Sequence, residues 1–100
     1  MEFRYEPELR EYMKKQQKST VVVEVVTSDY SDFEISELHV HLVDVKRAQF
    51  FKEKKRYRST ETEMGEVLLP PFSLQYDDVI TFGLKKIWFV KYLSYQGIRI

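Results

Sequence analysis

The chain is predicted to be an α+β domain, with one amino-terminal helix packed on a mainly antiparallel sheet of five or six strands. Three observations lead there. A helical stripe lies within residues 6–18, a β-branched run follows it, and from there to the carboxy terminus apolar residues alternate at a period of two between turn-forming clusters. One hundred residues make a single domain, 1–100, and a chain of that size buries about two thirds of the surface it exposes when unfolded. With 43% hydrophobic residues and only three Gly and three Pro, the composition is that of a folded domain rather than a disordered one.

The helix is expected over residues 6–18. Pro7 suits a first helical turn, Glu8 and Glu11 lie near the positive end of the helix dipole, and Lys14, Lys15 and Lys18 lie near its negative end. Leu9, Tyr12 and Met13 form a narrow apolar stripe that would lie on a sheet. Strands then run from about residue 19 to the carboxy terminus. In "STVVVEVV", Val21, Val23 and Val25 face one way while Val22, Glu24 and Val26 face the other, the pattern of a central strand covered on both sides. "TSDYSD" holds four turn-formers in six residues and predicts a loop.

From Phe33 to about Phe51 the alternation returns with one slip, placing Ile35, Leu38, Val40 and Leu42 against Glu37, His39, His41 and Val43. A strand of that length is unusual, so a bulge or break is expected near Asp44 to Arg47. "KEKKRYRSTETE" has no core-forming period and predicts a solvated hairpin, an exposed strand or a loop. "GEVLLPPF" is a short strand stopped by Pro70 and Pro71, neither of which can donate to a ladder. Tyr76, Asp77 and Asp78 have the look of a turn ahead of the strand that contains "VITF". The last block, "KKIWFVKYLSYQGIRI", fits a helical stripe through Leu84, Ile87, Trp88, Lys91, Tyr92 and Tyr95. Its Ile, Trp, Phe, Val and Tyr content, with Ile87, Phe89 and Leu93 on one face, favours strand.

Composition removes several functions. Sixteen basic and sixteen acidic residues cancel, so no global field draws the protein to nucleic acid or to an anionic surface, and any electrostatic partner must be recognised locally. Without cysteine there is no disulfide framework, thiolate nucleophile or iron–sulfur ligand set. The amino-terminal eighteen residues are charged throughout and no apolar run approaches the roughly 20 residues that span a bilayer, so a cytoplasmic protein without a membrane partner is expected. No catalytic motif stands out: there is no nucleophile elbow and no HExxH, and Gly65, Gly83 and Gly97 are too far apart for a phosphate-cradling loop.

Three features carry chemistry. In "SELHVHLVDV", Glu37, His39 and His41 share one face of an extended strand about 7 Å apart; imidazoles and a carboxylate bind a divalent metal such as zinc, so one strand offers three ligands. The same alternation is also what a half-exposed strand carries on its wet side. The second feature is the basic stretch at residues 46–58, with seven Lys and Arg against Glu53, among them Lys54, Lys55, Arg56 and Arg58, interleaved with Phe50, Phe51 and Tyr57. Cations for phosphates and rings for stacking are what a nucleic-acid surface uses. Residues 20–45 carry six acids and no Lys or Arg, so the basic stretch can equally pair with them across strands. The third is an aromatic load concentrated in the last third of the chain. If the terminal strand is an edge, Trp88 and Tyr92 would form a homo-oligomer by edge pairing.

The short helix, the Val-rich strand near residue 20 and the block "DDVITFGLKKIWFVKYLSYQGIRI", with "QGI" at Gln96 to Ile98, resemble the small HesB-like proteins, relatives of the A-type iron–sulfur carriers that include Cys-Cys and Cys-selenocysteine members. The resemblance lies mostly in Asp77 to Ile100 and implies a HesB-like scaffold. In that family the reactive positions follow the Val-rich strand, where this chain reads "TSDYSDFEISELHVH". No cluster ligand carries over and no iron–sulfur cluster is expected; the resemblance implies a scaffold that lost its redox site, with His39 and His41 near the vacated place as its only replacement. The expected function is a non-enzymatic structural or interaction domain, with metal binding and then nucleic-acid binding as alternatives.

Overall fold

The computed structural model describes residues 1–100 and runs β1 (Glu2–Tyr5), α1 (Pro7–Gln16), β2 (Thr20–Asp29), β3 (Glu34–Val43), α2 (Val45–Glu53), β4 (Arg58–Thr62), β5 (Gly65–Leu69), β6 (Gln75–Ile87) and β7 (Val90–Arg99). The class is α+β, as expected, with a different inventory. There are two helices rather than one, and the strands number seven and form two mixed sheets, β1-β6-β7 and β3-β2-β5-β4. Three ladders are antiparallel, and the pairs β1/β6 and β2/β5 are parallel.

The Val run does what its pattern predicts. β2 is interior to its sheet, and Val21, Val22 and Val23 are all fully buried. Val21 and Val23 join Leu9 and Met13 of α1 and Ile80, Phe82 and Leu93 of the other sheet in the larger core. Val22 points the other way, into a smaller core with Ala48 and Phe51 of α2, Tyr57 and Leu68. The four-stranded sheet is therefore covered by the three-stranded sheet and α1 on one face and by α2 on the other.

The Asp44 to Arg47 break is the start of a helix. Asp44 is its N-cap, its side chain accepting a hydrogen bond from the Arg47 backbone N–H at 2.8 Å, and the Ala48/Phe51 pair one turn apart seats α2 on the sheet. Alternation that ran on through Val43 and Val45 hid this change of period. β1 also escaped prediction, because four residues ahead of a helix show too little pattern. α1 is shorter than expected, ending at Gln16 with Gln17 in the left-handed region (φ 54°) as its C-cap.

Beyond Pro70 and Pro71 the expected turn at Tyr76 to Asp78 lies inside β6, where the ladder to β7 shifts register between Tyr76 and Thr81. Opposite that bulge Gly97 has φ 94°, and a side chain there would press on the Val79 carbonyl oxygen. The last block is strand, but two strands rather than one: Trp88 and Phe89 form a two-residue turn joining β6 to β7. Ile87, Phe89 and Leu93 accordingly do not share a face. Leu93 is buried, whereas Ile87 and Phe89 are exposed.

Because the cap alone satisfies an otherwise orphan amide at the α2 start, Asp44→Ala is expected to cost about 1 kcal/mol of stability, read as a lower urea midpoint at unchanged m-value.

Candidate functional site

Glu37, His39 and His41 do share a face of β3, the face turned toward α2. His41 packs edge-on to Phe51 with ring centroids 6.3 Å apart. The polar ends, however, sort into two pairs. His39 Nε2 donates to Glu37 at 3.2 Å, and His41 Nε2 donates to Glu24 of β2 at 3.2 Å, while Lys55 reaches the other Glu24 oxygen at 3.4 Å. No three His, Asp or Glu side chains gather as a ligand set. His39 and His41 instead border a hollow of about 720 Å³ between the edge strands β3 and β7, together with Glu24, Lys85 and Tyr92.

The basic stretch is divided among several neighbours. Lys52 pairs with Glu66 at 2.7 Å, Lys55 with Glu24, and the Arg47 guanidinium lies 4.8 Å from the Phe50 ring centroid and 5.1 Å from that of Phe51. Charge pairing between this stretch and the acidic residues 20–45 thus reduces to one contact, Lys55 with Glu24. Lys54, Arg56 and Arg58 make no ion pair. Arg56, at φ 60°, and Arg58 line a second hollow, of about 520 Å³, with Phe72 and Tyr76. The Tyr76 hydroxyl is buried there without a hydrogen-bond partner. Burial pushes its pKa up, and the nearby Arg58 charge only partly offsets this.

Glu66 has the opposite balance. Burial raises its pKa, but hydrogen bonds from Lys52 and Ser59 and the Lys52 charge outweigh burial and hold the carboxyl below its ordinary value. Ser59 Oγ donates to it at 2.5 Å.

The aromatic end lies elsewhere than the sequence suggests. Tyr92 is on the edge strand β7, but Trp88 is at the apex of the hairpin, so the two do not form one edge surface. At the apex Ile87, Trp88, Phe89 and Val90 are exposed consecutively, Trp88 at 86% and Phe89 at 93%. Ile87 pairs with Val90, Lys86 with Lys91 and Lys85 with Tyr92 across the hairpin. Trp88 has φ 56° and Phe89 does not share that region, the pattern of a type II′ turn, where the first position ordinarily takes Gly. Residue-by-residue reading missed this apex because "IWFV" holds no turn-former. Its one signal was an apolar run bracketed by lysines, "KKIWFVK".

Compared with known proteins, the chain matches no family model, no curated protein and no solved structure.

Two outcomes follow from the polar geometry. Tyr76→Phe removes an unsatisfied hydroxyl and is expected to leave stability unchanged or raise it by up to about 1 kcal/mol in a urea titration; a clear loss would mean the hydroxyl has a partner. A carboxyl with a lowered folded-state pKa stabilises fully above the unfolded value of 4.5 and loses that contribution as pH falls through the folded one. Glu66→Gln should therefore cost about 1 kcal/mol at neutral pH, a difference that closes in melts taken at progressively more acid pH.

Proposed function

We propose that the chain is a non-enzymatic interaction domain that docks on its partner through the end of the β6–β7 hairpin, carried on the HesB-like scaffold that the sequence resemblance implies. The observation that supports this reading is the consecutive exposure of Ile87, Trp88, Phe89 and Val90. Single exposed apolar residues are ordinary; four in a row at one apex, two of them large aromatics, are the signature of a surface that is covered in use. Removing Trp88 and Phe89 from water yields about 1.5–3 kcal/mol each before the cost of association, the scale of an anchoring pair.

The backbone adds to this. A bulky L-residue at φ 56° costs of order 1–3 kcal/mol, and such strain is typical of positions retained for contact. The turn itself gains nothing from an indole there.

A photo-crosslinking residue at position 89, introduced into the full chain in intact cells, is expected to give adducts that the same residue at exposed Glu11 does not. Equal labelling at the two positions, or none at position 89, would sink the interaction reading.

A further inference from the structure

Resting on that reading, we infer that the partner surface is an anionic lipid bilayer, with Trp88 and Phe89 inserted at its interface and Lys85, Lys86 and Lys91 on the headgroups. No helix is long and apolar enough to cross a membrane. The expectation of no membrane partner rested on spanning and on zero net charge; insertion of a hairpin apex from one side needs no span, and a local cluster of lysines needs no net charge.

Shape is the first support. A standard protein interface takes about 800 Å² from each partner as a fairly flat patch. Four side chains around a two-residue turn make a small convex point instead, and a bilayer accepts such a point without a complementary cavity. Trp is suited to the boundary, having an apolar body and a polar N–H that settle at headgroup level. Phe89 beside it is purely apolar.

Charge is the second, independent support. Lys86 and Lys91 stand directly opposite one another in the ladder, a like-charge pair that is unfavourable in isolation. Neither they nor Lys85 makes an ion pair with a carboxylate, and the same is true of Lys14, Lys15 and Lys18 at the end of α1; every ion pair in the structure lies elsewhere. The helix end is brought to the hairpin by Tyr12, whose ring lies 5.3 Å from Lys91 Nζ, and by a hollow that Tyr12, Gln16 and Lys18 share with Lys91 and Tyr92. An anionic headgroup layer supplies the counter-charge that the protein withholds, and long lysine stems reach it while the apex is inserted.

Two acids reach the base of the hairpin, Glu6 and Glu24, each bordering a hollow with Lys85 but neither pairing with it, while the acidic β2–β3 turn lies away from this end. β3 and β7 pass each other in opposite directions: Val40 to Leu42 border one hollow with Lys91 to Leu93, while the next hollow extends to Leu38 and Tyr95. The β2–β3 turn with Asp29, Asp32 and Glu34 therefore points away from the apex. A chain of zero net charge thus presents a basic, apolar-tipped hairpin end, with the acidic β2–β3 turn at the far end of the sheet.

The test uses the full chain with phosphatidylcholine vesicles, with and without phosphatidylserine, and the protein's one tryptophan as reporter. With anionic vesicles Trp88 emission should shift to the blue and become shielded from an aqueous quencher, and the protein should co-float. Neutral vesicles or high salt should largely abolish this. Phe89→Ser is expected to weaken flotation about tenfold or more, and Lys86→Glu/Lys91→Glu by more than about fivefold per lysine. Unshifted thermal melts would establish that these apex variants remain folded. Unchanged emission with anionic vesicles, or flotation indifferent to Phe89→Ser, would overturn the lipid inference. If adducts at position 89 were then proteins, or sedimentation found an apex-dependent dimer, the interaction reading would stand without it; absence of both would remove the two together.

Discussion

Burial of β2 on both faces dictates how every other layer is placed. Val21 and Val23 need cover on one side and Val22 on the other, and at zero exposure none of the three tolerates water. The cover on the first side is the three-stranded sheet with α1, and on the second it is α2. Remove either layer and a row of branched side chains is exposed at roughly 25 cal/mol per Å². The same demand explains the parallel pairing of β2 with β5, whose Val67 and Leu68 continue the two cores on their own alternate faces.

The second sheet is built to a different length. β6 is a thirteen-residue strand, but its buried residues end at Gly83, with Leu84 half-buried after it, and on β7 the buried residues begin at Leu93. Past that point the last contacts are those of Lys91 and Tyr92 with Tyr12 and β3, and the hairpin end beyond them has no layer to pack on. Its apolar residues belong to no core, which separates Trp88 and Phe89 from Phe82 and Tyr95 although all four sit in one aromatic-rich block. The apex is thus a consequence of strand length exceeding the reach of the opposing sheet.

Charges follow the same division. Around α2, Lys52, Lys55 and Arg47 have partners in Glu66, Glu24 and the Phe50 and Phe51 rings, while Lys46 and Lys54 make no ion pair. Around the hairpin and the end of α1 no lysine pairs with a carboxylate, and Lys91 meets only the Tyr12 ring. Total charge is silent about this, since it does not record where each charge sits.

Several features were legible in the sequence because neighbours within a few residues decide them. α1 followed from its stripe and end charges, β2 from its valines, and the stop of β5 from Pro70 and Pro71, which lack the N–H a ladder requires. The face shared by Glu37, His39 and His41 followed from the period of a strand. Their partners did not, because whether His41 meets Glu37 or Glu24 depends on a register between β2 and β3 that no local pattern encodes. α2 was hidden by alternation that persisted to its cap, and the apex by a turn made of residues that ordinarily continue a strand. An α+β domain with a buried Val strand, no cysteine chemistry and an aromatic carboxy-terminal third could all be read from residue order alone. The division of the strands into two sheets and the exposure of Trp88 and Phe89 emerge only from long-range packing, because burial is set by which distant surfaces reach a residue and not by the residue's own preference for leaving water.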